Sequence, residues 1–106
     1  MKKSKLETAR TLAQAHSAVE PHLRGVYLLE PVNEPDPNDP IKLLEVVDGT
    51  IERGIEPIAF TANPARGIDY PSLIIEISPG EYQCIRNGTM TFGVYPWRIG
   101  SELMAR

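Results

Sequence analysis

The fold is decided by residues 71–88, which read PSLIIEISPGEYQCIRNG. Their apolar, mostly β-branched run at 73–77 predicts a strand that is buried on both faces. Ser78 can cap a helix, the proline after it suits the first helical position, and Glu81 can reach back to the Ser78 amide as a capping box. The Asn-Gly pair at the end offers a left-handed helix exit. The stretch therefore predicts a strand that runs directly into a short helix.

Another helix is predicted nearer the N-terminus, at residues 4–20. Small and apolar side chains recur there at steps of three and four, together with His16, and form one stripe. Ser4 and Glu7 make a second capping box. Apolar runs predict three strands, at 25–30, 41–47 and 56–61. Pro57 places the third of them at a sheet edge or near its own start, because proline cannot donate to a ladder.

Two connecting segments lie between these strands. Residues 31–40, PVNEPDPNDP, hold four prolines and three acids and are expected to form an exposed, extended acidic loop. An Asp-Gly turn at 48–49 could close a hairpin, and a wider loop is the alternative. The strand order is left open.

The chain ends are expected to differ from each other. Residues 1–3 are expected to fray. The tail at 89–106 is expected to dock on the body, because it carries Trp97 and Ile99. Within it, a short strand is expected at 91–95 and one helical turn at 101–106, capped by a serine.

These elements predict a single α+β domain over residues 1–106. Consecutive strands with short links favour antiparallel pairing. We expect a two-layer fold with a mostly antiparallel, four- to five-stranded sheet, an N-terminal amphipathic helix and a short second helix, with both helices on one face.

Composition and charge limit the cellular compartment and the classes of partner that we expect. The net charge is −3 and the only basic concentration is at the N-terminus, so nucleic-acid binding is not expected. Cys84 is the sole cysteine, which fits a reducing compartment. The N-terminal segment lacks an apolar signal region, and no stretch suffices to span a bilayer. We expect a cytoplasmic protein, of bacterial type, that does not engage membranes.

The candidate ligand pocket combines the 62–70 loop, the tail and a histidine. The pocket is expected to take a small anion, because arginine offers bidentate contacts to a carboxylate or phosphate. The alternative is that Arg66 and Asp69 satisfy the backbone of their own loop. The candidate residues are Arg66, Asp69, Tyr70, Trp97, Arg98, His16 and His22.

Other reactive side chains are expected to be structural. His16, on the apolar stripe, is expected to be partly buried and to hydrogen-bond to a carbonyl, with general base or metal ligand as the alternative. Cys84 is expected to be a buried, inert thiol, because it lies past the first turn of its helix. Glu45 and Glu76 are expected on a half-exposed sheet face. No motif predicts a catalytic residue, a metal site or a cofactor.

The sequence supports three hypotheses about function. The first is a non-enzymatic protein-binding module that forms a homodimer or is a subunit of a small assembly, because strand runs that are apolar on both faces need covering. The second is a small-molecule-binding domain or small enzyme that uses the candidate pocket. The third is an acidic regulator, antitoxin-like or immunity-like, that binds a basic partner.

Overall fold

The protein is described by a computed structural model over residues 4–33, 39–49 and 56–105. Its described part contains two α-helices, five strands and one short 3₁₀ turn. In chain order these are α1 (Lys5–Val19), β1 (Leu23–Pro31), β2 (Ile41–Val47), β3 (Ile58–Phe60), the 3₁₀ turn (Pro64–Arg66), β4 (Ser72–Ile77), α2 (Pro79–Arg86) and β5 (Trp97–Ala105).

The strands form one mixed sheet in the order β3-β4-β2-β1-β5. The pairs β1–β2, β1–β5 and β3–β4 are antiparallel, and β2–β4 is parallel. The α+β class, the N-terminal helix and the mostly antiparallel sheet are therefore confirmed. β3 lies at an edge, as Pro57 predicted. The Asp-Gly turn does not close a hairpin between β2 and β3, because β4 lies between these strands.

Helices lie on opposite faces of the sheet, so the expectation that both cover one face is wrong. On one side, Ala9, Leu12 and Ala13 of α1 pack with a first core cluster that includes Leu43 and Ile74. On the other side, α2 packs against a second cluster. That cluster is built on Leu29, Leu44, Val46, Ile75, Ile77 and Phe92. Side chains alternate along a strand, so β2 and β4 must be apolar toward both helices.

Both helix starts follow the local sequence signals. Ser4 Oγ accepts a hydrogen bond from the Glu7 amide at 3.1 Å. At α2 the capping box is complete, with Ser78 Oγ accepting from the Glu81 amide and the Glu81 carboxylate accepting from the Ser78 amide. Gly88, at φ 83°, takes the left-handed position after α2. The buried run of β4 thus feeds α2 as residues 71–88 predict.

The tail forms a strand at a different place from the one predicted. Residues 91–95 are not in a strand, and residues 101–105 are extended in β5 where a helical turn was expected. Pairing with β1 overrides the local serine cap signal, since Glu102, Met104 and Ala105 are register partners of β1 residues. Trp97 and Ile99 pack against the second core cluster.

Some predicted features lie outside the described residues. These are the fraying at 1–3, most of the acidic loop, the link after the Asp-Gly turn and Arg106.

The contribution of the α2 capping box to the stability of the fold can be tested by substitution. We expect Ser78→Ala to lower the free energy of unfolding by about 1 kcal/mol, because it leaves the Glu81 amide without its acceptor. Chemical denaturation measures this. Gln83→Ala, an exposed change inside the same helix, is the matched control and should be neutral or slightly stabilising. Equal effects of the two changes would contradict the capping role.

Candidate functional site

His16 and Glu45 form the most unusual polar contact in the described structure. His16 Nδ1 lies 2.7 Å from Glu45 Oε2, and the relative exposures of the two side chains are 28% and 7%. Glu45 is therefore a buried acid with a histidine as partner. The histidine is partly buried, as predicted, but it contacts a carboxylate and not a carbonyl group.

Parallel pairing of β2 with β4 brings a second acid to this place. Glu45 and Glu76 are register partners, and side chains opposite one another in a sheet share a face. Glu76 is exposed, as expected, whereas the expectation that Glu45 lies on a half-exposed face is wrong, because α1 covers it. The hydrogen bond to Glu45 raises the pKa of His16 above its ordinary value, burial opposes this, and the charges of Glu45 and Glu76 add to it.

A cleft lies between α1 and the β3–β4 edge around this pair. It consists of two cavities of about 230 and about 240 Å³, which share His16, Phe60 and Ile74. The first cavity also contains Glu45 and Glu76. We call the two together the α1 cleft.

The second cavity of the α1 cleft carries a cation and a buried hydroxyl. Arg66 and Ser72 line it. Two backbone hydrogen bonds between Asn63 and Ile68, at 2.7 and 3.1 Å, close the loop that carries Arg66. Ser72 is 2% exposed, and its Oγ finds no hydrogen-bond partner in the described structure.

A groove lies on the opposite face of the sheet, between α2 and β5. Its volume is about 370 Å³. The rings of Tyr95 and Trp97 stack at 4.5 Å between centroids, and Arg86 and Arg98 lie at the margin. Lining residues also include Ile85, Met90, Phe92 and Ile99. We call this the aromatic groove; it combines apolar area with cationic donors.

The residues predicted to form one pocket are divided between the two faces. His16 and Arg66 line the α1 cleft, whereas Trp97 and Arg98 line the aromatic groove. Tyr70 packs against the core cluster under α1, with the Lys5 ammonium 5.9 Å from its ring centroid.

The other two predicted residues lie in connecting segments. His22 is exposed, and its amide donates to Glu20 Oε1. Asp69 is half-buried in the loop before β4. Cys84 is half-buried inside α2 and is not in a disulfide.

Sequence reasoning identified His16 but missed its partner. Helical periodicity placed His16 on the covered side of α1, and strand alternation placed Glu45 on one face with Leu43 and Val47. An acid inside such an apolar run was the available signal. The missing information was which face α1 covers and that β4 pairs parallel to β2.

The described residues contain no group of three His, Cys, Asp or Glu side chains placed to hold a metal ion. Neither described helix has the length and apolar character to cross a membrane. Comparison with protein-family models, curated proteins and solved structures finds no match to this chain.

The His16–Glu45 pair predicts a defined pH dependence of stability. Because the pKa of His16 is raised in the folded state, its stabilisation is complete below the ordinary histidine pKa of 6.5 and is lost as pH rises through the folded value. We expect the free energy of unfolding to fall over this window. Denaturant titrations at a series of pH values measure the slope.

Two variants separate this pair from other groups. His16→Gln and Glu45→Gln should each flatten the slope, whereas His22→Gln should retain it, because the His22 side chain is exposed. If the free energy of unfolding of Glu45→Gln still falls with pH over this window, another group is responsible for the pH dependence.

Proposed function

We propose that this protein is a cytoplasmic protein-binding module that associates with a second copy of itself through the aromatic groove. The observation that carries the proposal is the stacked Tyr95–Trp97 pair in a cavity of about 370 Å³ that Arg86 and Arg98 also line. Tyrosine, tryptophan and arginine dominate the binding energy of protein interfaces, because they bury large area and still make directed polar contacts.

Sheet edges offer a less favourable route to association. β3 is only three residues long, and short edge strands resist strand addition. β5 is longer, but its register against β1 shifts twice. Such bulges bend a strand and disturb the row of hydrogen-bonding groups that a partner strand would need. The side-chain groove is therefore the better interaction surface.

Charge indicates the kind of segment that fits. The lining of the aromatic groove contains two arginines and no acidic side chain. Glu30 Oε2 lies 3.6 Å from Arg98 Nε, which leaves the groove with an excess of positive charge, so an acidic segment suits it better than a basic one. The chain carries such a segment in its own sequence, within residues 31–40, PVNEPDPNDP, of which Pro31 is paired with β5 of its own copy. Extended proline-rich segments bind aromatic grooves at low entropic cost.

A second apolar feature borders the groove. Val94 is 92% exposed, in the turn between Phe92 and Tyr95. A side chain of this kind gains free energy when a partner covers it. Val19, which is 78% exposed, lies at the end of α1, whose sheet face is opposite that of the groove. These two valines provide a matched pair for a test.

We expect the protein to form a dimer at micromolar concentration, measured by light scattering. Val94→Asp should weaken the association about tenfold, because it places a charge in the contact. Val19→Asp is the control and should leave the association unchanged. A monomer at every concentration, or equal effects of the two variants, would contradict the proposal.

Trp97 provides an independent measurement, because it is the only tryptophan. Its emission should shift as the protein is diluted through the dimer transition. A peptide of sequence PVNEPDPNDP lacks aromatic residues, and its binding should shift the same emission. A peptide with alanine in place of the acids is the control. If the Trp97 emission changes neither on dilution nor on addition of the peptide, the aromatic groove is not the surface of association.

A further inference from the structure

The α1 cleft carries opposite charges at its two ends. Glu76 lines the cavity at one end and Ser72 lines the cavity at the other. They are four residues apart on β4 and share its α1 face. At a rise of about 3.3 Å per residue, this separates the ends by about 13 Å. Arg66 lines the same cavity as Ser72 and is absent from the lining of the cavity that holds Glu76.

The acidic end keeps a negative charge whatever the state of His16. Glu45 and Glu76 are side by side, and a protonated His16 neutralises only one of them. Glu20 lines the same cavity. An ammonium group placed here would meet the exposed carboxylate of Glu76 directly.

The opposite end suits an anion. Arg66 provides guanidinium donors, and the closed Asn63–Ile68 loop fixes the position of its backbone. The buried Ser72 hydroxyl lacks a partner in the described structure, and an unpaired buried hydroxyl is costly. A carboxylate in this cavity would supply an acceptor that is otherwise missing.

Two apolar side chains and His16 line the middle of the cleft. Phe60, Ile74 and His16 belong to both cavities, His16 Nδ1 lies 2.7 Å from Glu45 Oε2, and Phe60 is 47% exposed. A ligand that spans the two ends would cover this surface, which favours a hydrocarbon stem over a polar one.

We propose that the α1 cleft binds an elongated zwitterion. Its ammonium group lies at Glu45 and Glu76, its carboxylate lies at Arg66, and an apolar stem of about 10 Å lies on Phe60 and Ile74. A long ω-amino acid has this chemistry in full, and a free tripeptide with apolar side chains shares its two charged ends and its length. The inference is independent of the aromatic groove, which lies on the other face of the sheet.

Calorimetric titration with four probes tests the proposal. The probes are ω-aminooctanoate, octanoate, octylamine and the tripeptide alanyl-leucyl-alanine. We expect ω-aminooctanoate to bind about tenfold more tightly than either one-charge analogue, because it engages both ends. If the tripeptide binds more tightly than ω-aminooctanoate, the ligand class is a peptide. If it binds more weakly, the ligand class is an ω-amino acid. Failure of both zwitterions to bind more tightly than octylamine and octanoate would overturn the proposal.

Single substitutions then locate the two ends. Glu76→Gln should weaken ω-aminooctanoate and octylamine about three- to tenfold and leave octanoate unchanged, and Arg66→Gln should weaken ω-aminooctanoate and octanoate but not octylamine. Glu7→Gln and Arg10→Gln, exposed changes on α1 away from the cleft lining, are the charge-matched controls and should have no effect. Equal losses in the site and control variants would show nonspecific charge attraction.

Circular dichroism shows whether the Glu76→Gln and Arg66→Gln variants remain folded. Glu76 and Arg66 are both exposed, so the variants should keep the native spectrum and melting temperature. Proton–nitrogen correlation spectra supply a second readout, in which ω-aminooctanoate should shift the amides of Phe60 and Ile74. Shifts confined to other parts of the sheet would place the ligand elsewhere and overturn the proposal.

Discussion

The parallel pairing of β4 with β2 is the constraint on which the rest of the structure depends. It places two apolar strands at the middle of the sheet, with Leu43 and Ile74 toward α1 and Leu44 and Ile75 toward the opposite face. Each of these four side chains is almost fully buried. Because both faces of this pair are apolar, the sheet needs cover on both sides, which α1 and α2 supply.

The same pairing creates the polar chemistry of the α1 cleft. Its register sets Glu45 against Glu76, and α1 crosses above so that His16 reaches the buried acid at 2.7 Å. A buried carboxylate without a partner is costly. The histidine offsets this cost and leaves Glu76 exposed at the cavity. A binding surface with fixed charge therefore arises from the way the core is assembled.

The two faces of the sheet differ in chemistry and suit different occupants. The α1 cleft has acidic and cationic side chains in different cavities, which matches a small ligand with two ionic ends. The aromatic groove contains a stacked Tyr95–Trp97 pair and two arginines, which matches an extended acidic segment. One small domain can therefore present two surfaces without a conflict between them, because the buried strands lie between the surfaces.

Local signals in the sequence determined the elements whose information lies within a few residues. The Ser78–Glu81 capping box, the limits of β2 and the edge position of β3 all follow from neighbouring side chains. The tertiary structure alone decided the insertion of β4 between β2 and β3, the opposite placement of the helices and the extended form of residues 101–105. These features depend on contacts between distant segments, and pairing with an already buried strand outweighs a local helix cap. The His16–Glu45 contact belongs to the same group, because 29 residues separate the two side chains along the chain.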